Sequence, residues 1–148
     1  MGGISGHAGF FSTAPDLLLL VREWMFAASG GGGGGGGTLL NATTTKLWTA
    51  EYNHTQSSRA LGWNTNDYTV NDRGWDQSCG SLSQATFMHD GYTGTMICGD
   101  TKRNLILILL TNRVYPDDSA ASKKSIHGVR QTFGNLVQKA YDACPACQ

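Results

Sequence analysis

Hydrophobic positions along the chain change their period several times, and each change predicts an element. In APDLLLLVREWMFAA, Leu17, Leu20, Val21, Trp24 and Ala28 recur at the three- and four-residue spacing of one helical face. Thr13, Pro15 and Asp16 form the start signal: a capping hydroxyl, a proline suited to the first turn and a carboxylate facing unpaired amides. Asn41 predicts the cap of a second, short helix through Leu47 and Trp48. Residues 59–65 (RALGWNT), 86–89 and 95–98 read as strands, the last two flanking a glycine-bearing segment at 91–94. The run NLILILLTN, 104–112, is apolar throughout and bounded by turn formers, which predicts a buried central strand. Asp117, Asp118 and Ser119 announce a long helix. Its stripe is Ile126, Val129, Phe133, Leu136, Val137, Ala140 and Tyr141, with Lys and Arg opposite. Helix, helix, strands, long helix is the order of an α+β fold, an antiparallel sheet packed against helices.

Two stretches carry no period. Ser29 and the eight glycines 30–37 predict a flexible loop over 29–37. It is not a phosphate-binding loop, because Thr38, Leu39 and Leu40 follow it where a Lys-Ser/Thr pair is needed. Residues 64–81 are rich in Asn and Asp and predict a long surface excursion.

Composition narrows the partners. A chain of 148 residues is one domain, long enough to bury a core. Its formal net charge is zero and 15% of residues are charged, which argues against nucleic acid or an acidic membrane surface as partner. The apolar run 17–21 is broken by Arg22 and Glu23, far short of the roughly 20 residues a membrane span needs. The opening residues carry no secretory leader pattern. Two sequons, at Asn41 and Asn53, permit glycosylation if the protein is secreted.

Four cysteines are too few for a disulfide-built scaffold. Cys79 and Cys98 flank the most distinctive segment and are placed to bridge adjacent strands. Cys144 and Cys147, in the tail 144–148, have redox spacing but close a helix instead of opening one. No second close-spaced pair completes a zinc site. A structural role is expected for both.

The residues themselves offer little chemistry. There is no Gly-x-Ser-x-Gly, no Ser-x-x-Lys and no Tyr-x-Asn, so no activated nucleophile is legible. His7, His54, His89 and His127 are isolated, so no metal and no cofactor are expected. Asp67, Asp72 and Asp76 are ordinary turn formers. What remains is FMHDGYTGT, 87–95, which puts a histidine, an acid and a glycine at the end of a strand.

Three segments in order, GHAGFFSTAPDLLLL (6–20), HDGYTGT (89–95) and NLILILLTNRVYP (104–116), resemble the serine β-lactamase-related family. The resemblance is to the branch of class C β-lactamases, penicillin-binding proteins and their esterase relatives, and it covers the C-terminal part of such an enzyme. It implies a partial β-lactamase/transpeptidase-like fold with αβα layers, and the whole chain, 1–148, as its C-terminal segment. The Ser-x-x-Lys and Tyr-x-Asn of that family are expected upstream of Met1. Catalytic residues are therefore none in this chain, which by itself is expected to be inactive.

The substrate-binding residues implied are His89, Asp90, Gly91 and Tyr92. His89 takes the cationic or hydrogen-bonding place. Gly91 keeps the strand flat for an approaching substrate. Tyr92 offers its N–H to an oxyanion. Asp90 stands where Thr is usual: it removes a hydroxyl donor, repels an anionic substrate and pairs with His89. His7 belongs to a small-residue loop with a packing role. The partners implied are a small acyl substrate in a full-length form and a protein partner completing the fold. The alternative is a non-catalytic module that binds such a partner.

Overall fold

The computed structural model describes residues 8–28, 39–66 and 77–147. The glycine run, His7 and the aspartates 67, 72 and 76 lie outside the described residues.

Helix α1 spans Ala14–Ala28. Thr13 caps its start: its Oγ1 accepts from the Asp16 N–H (3.3 Å) and donates to the Asp16 carboxylate (2.9 Å). Helix α2, Ala42–Thr49, is capped by Asn41, whose side chain accepts from the Thr44 N–H. Among the described residues four antiparallel strands follow: β1 (Asn64–Thr65), β2 (Thr86–Asp90), β3 (Met96–Asp100) and β4 (Leu105–Leu109), in the spatial order β1-β2-β3-β4. Helix α3, Ala120–Asp142, is capped by Ser119. The fold class is α+β, as the pattern predicts.

Period-two alternation divides the sheet between two helical layers. Met88, Cys98 and Leu107 are register partners on one face, where they cluster with Phe133 and Val137 of α3. Phe87, Ile97 and Ile106 point to the other face and meet Val21, Trp24 and Met25 of α1. A ladder of rings runs from that helix to the sheet: Trp24 edge-on to Trp63 at 5.5 Å, and Trp63 edge-on to Phe87 at 4.8 Å.

Several sequence expectations are corrected. Of 59–65 only Asn64 and Thr65 are paired strand, because an Arg59–Asn64 bridge and the left-handed Gly62 make the segment a tight bend. The run 104–112 is not central. Its strand β4 is the last in the sheet, and only Leu107 is fully covered. On α1 the packed face is Val21, Trp24 and Met25, while Leu18, Leu19 and Leu20 are exposed. On α3, Val129 and Leu136 are likewise exposed. The packed stripe on α3 is narrower than the apolar pattern, with Phe133 and Val137 against the sheet-face cluster.

Both cysteine pairs are disulfides. Cys79–Cys98 ties the 77–81 turn to β3 instead of joining two neighbouring strands, and both cysteines are wholly buried. Cys144–Cys147 closes the turn after α3. No described helix is long and apolar enough to cross a membrane.

One carboxylate secures the β3–β4 connection. Asp100 is fully buried and accepts from the Ser83 N–H and hydroxyl, the Lys102 and Arg103 N–H groups, and the Arg103 guanidinium at 2.9 Å. Burial pushes its carboxyl up, but the hydrogen bonds from Ser83 and Arg103 outweigh that and hold it below the usual value.

Candidate active-site wall

Strand β2 ends at Asp90, and the chain reverses through 91–95 into β3. Two hydrogen bonds close the reversal: Gly91 N–H to the Thr95 carbonyl at 2.8 Å, and Gly94 N–H to the Gly91 carbonyl at 3.0 Å. Gly94 sits in the left-handed region at φ 100°, where L side chains are strained. Strand β1 pairs β2 only at Phe87 and Met88. From His89 onward, β1 leaves the outer edge of β2 open, and the turn's own bonds do not use the Tyr92 N–H.

His89 is exposed on the α1 side of the sheet. Its ring lies edge-on to Trp63, centroids 6.5 Å apart, and its Nδ1 is 3.2 Å from the Asp90 carbonyl oxygen. Asp90 points to the opposite face. Its carboxylate accepts from the Ser78 hydroxyl and, at 3.2 Å, from Arg130 Nη1. The expected His89–Asp90 side-chain pair does not form, because neighbours in a strand face opposite sides of a sheet. Burial raises the Asp90 pKa, outweighing the Ser78 hydrogen bond and the charges of Arg130, His127 and His89.

Gly91 lies just past the strand. A Cβ there would overlap the Thr95 hydroxyl, so the turn closes tightly on a missing side chain. Tyr92 projects outward with its ring exposed. The Arg113 guanidinium lies 4.3 Å from that ring's centroid, and its Nε donates to the Tyr92 carbonyl at 2.7 Å. Asp118 gathers both neighbours, accepting from the Tyr92 hydroxyl and from Arg113 Nη1 at 2.6 Å.

Arg130 of α3 is the residue least expected from the sequence. Its side chain is 4% exposed. Beyond Asp90 it donates to three carbonyls of the turn: Nε to Gly94 at 3.1 Å, and Nη2 to Gly91 at 2.6 Å and Thr95 at 3.1 Å. Its signal was present, since it lies four residues after Ile126 and four before Gly134, the two other buried positions of α3. A charge inside a packed helical face must find partners, and these are they.

The cleft so formed has a volume of about 410 Å³. His89, Asp90, Gly91 and Tyr92 line it together with Arg59, Asn64, Arg113, Lys123, Ile126, His127 and Arg130. All four residues predicted from the sequence are therefore brought together. Arg59, Arg113, Lys123, His127 and Arg130 come from elsewhere in the chain. Four permanent cations against Asp90 make the lining basic. Burial lowers the His127 pKa, and the charge of Arg130 adds to that.

Comparison with known proteins bears on this wall. The Beta-lactamase family model matches residues 1–129. A protein of Escherichia coli (strain K12) named "Putative D-alanyl-D-alanine carboxypeptidase" is 33% identical over 149 residues, covering 97% of this chain and 32% of the relative. An "N-acetylmuramyl-L-alanine amidase" of Bacillus subtilis (strain 168) is 28% identical over 149 residues, with the same coverages. The chain thus spans about a third of the length of these curated relatives. No solved structure matches significantly. With a family match over 129 residues that takes in the His89–Tyr92 strand end and its cleft, the chain belongs to the beta-lactamase family.

Proposed function

We propose that this chain is the substrate-wall portion of an acyl-serine hydrolase with a partial β-lactamase/transpeptidase-like fold. The observation that carries the reading is the HDGYTGT strand end, which lines a cleft and whose Tyr92 N–H has no backbone partner among the described residues. His89 contacts the substrate from the strand edge, and Gly91 lets the turn close on the Thr95 hydroxyl beside it. The Tyr92 N–H takes charge from the carbonyl oxygen as a serine from another part of the protein attacks the carbonyl carbon. Asp90 is occupied by Ser78 and Arg130, so its charge is partly answered before a substrate arrives. The basic lining suits a small acyl compound bearing negative charge. Esters, amides and β-lactams are the bond types, and the carboxypeptidase and amidase names of the relatives favour amides.

The chain alone is inactive in this reading, since it offers a wall and no nucleophile. The exposed Leu18, Leu19 and Leu20 of α1 support a second element of the proposal, a protein segment or partner that covers this helix. The test is labelling by a fluorescent penicillin and by a fluorophosphonate. The chain alone is expected to remain unlabelled. The chain joined behind the first two thirds of the E. coli relative is expected to be labelled, and His89→Ala is expected to slow that labelling. A folded fusion that neither probe labels, or labelling of the isolated chain, would overturn the proposal.

A further inference from the structure

We infer that Arg130 is the positioning residue of this wall: from α3 it fixes the 91–95 turn and thereby the direction of the Tyr92 N–H at the edge of the cleft. The inference rests on the acyl-site reading above and concerns a side chain that acts through the backbone. Its core is the planarity of one peptide. The Gly91 carbonyl and the Tyr92 N–H belong to the same peptide unit, which in its trans form points them in opposite directions. Arg130 Nη2 holds the Gly91 oxygen at 2.6 Å, and the Gly94 N–H takes it as well at 3.0 Å. With that oxygen anchored on Arg130, the direction of the amide at the other end of the peptide is fixed as well.

The remaining contacts make the anchor rigid. The Gly94 and Thr95 carbonyls are held by the same guanidinium, so one planar group sets three peptide planes. Asp90 supplies the opposing charge, and its own direction is set by Ser78, next to the Cys79–Cys98 disulfide. Lysine cannot reproduce this, because a compact ammonium lacks the fork that reaches four acceptors.

The test compares Arg130→Lys, which keeps the charge, with Arg130→Met. In the intact chain, amide exchange at Gly91 and Gly94 is read by NMR, with Cys98 and Leu107 as controls. Both variants are expected to speed exchange at the two glycines by roughly tenfold or more, with the controls moving less than about threefold. In the labelled fusion described above, hydrolysis of an activated ester is expected to lose roughly 10–100-fold in kcat for Arg130→Lys, with KM within about threefold. Unchanged exchange at both glycines, or a loss confined to KM or to global stability, would overturn the inference. If Arg130→Met does not fold, Arg130→Lys decides alone. A wild-type fusion without activity defeats the acyl-site reading only, and the exchange measurement still judges the anchor.

Discussion

Gly134 of α3 lies directly on the backbone of Cys79: a Cβ added to it would overlap the Cys79 carbonyl oxygen and stand 2.9 Å from the Gly80 nitrogen. The helix and the disulfide-bearing turn meet there with no side chain between them. Gly134→Ala is therefore expected to cost about 1–3 kcal/mol in urea unfolding, because backbone atoms cannot step aside. Gly128, six residues earlier on the same helix, has nothing within 4 Å of its added Cβ. Gly128→Ala is expected to stabilise by roughly 0.5–1 kcal/mol through helix propensity alone. Opposite signs from one substitution type on one helix form the check.

Asp100 gives the acid response a definite direction. Its native pKa lies below the unfolded value of 3.8, so its contribution is fully present above about pH 3.8 and is lost as pH falls through the native value. Asp100→Asn is expected to cost roughly 1–3 kcal/mol at neutral pH through broken hydrogen bonds. The variant's urea midpoint should also fall less than the wild type's between about pH 5 and pH 2. Parallel pH profiles would show that the carboxylate is not the group responsible.

The two disulfides should separate under reductant. Cys79–Cys98 is wholly buried, whereas Cys147 is exposed. A mild thiol without denaturant is expected to open Cys144–Cys147 alone, read by alkylation and peptide mass. Replacing Cys79 and Cys98 together by alanine is expected to cost about 2–4 kcal/mol, given the 19-residue separation that the bond spans.

Helix α1 turns Leu18, Leu19 and Leu20 outward. The isolated chain is expected to self-associate through this helix. Leu19→Glu with Leu20→Lys should shift sedimentation toward monomer while changing stability by less than about 0.5 kcal/mol, as exposed positions allow. A monomeric wild type at the same concentration would remove the basis for this prediction.

What could be read from the chain was local. Thr13 and Asn41 announce their helices because a cap is made by residues three apart, and HDGYTGT announces a strand end because turns are short-range events. What could not be read depends on distant partners. NLILILLTN looks central by apolarity, yet strand order is decided by which strands find it, and β4 ends the sheet. Adjacency in the sequence pairs Asp90 with His89, whereas its partners Ser78 and Arg130 lie 12 and 40 residues away. The apolar stripe of α3 sets Lys and Arg opposite, yet Arg130 shares a buried face with Ile126 and Gly134.

The ring ladder that joins α1 to β2 has a practical consequence. Trp63 stands edge-on to both Phe87 and His89, at the junction of core and cleft. A compound that displaces His89 alters the surroundings of that indole, so the protein carries its own optical reporter of occupancy. Binding can then be followed by intrinsic fluorescence, without a chromogenic substrate and without turnover.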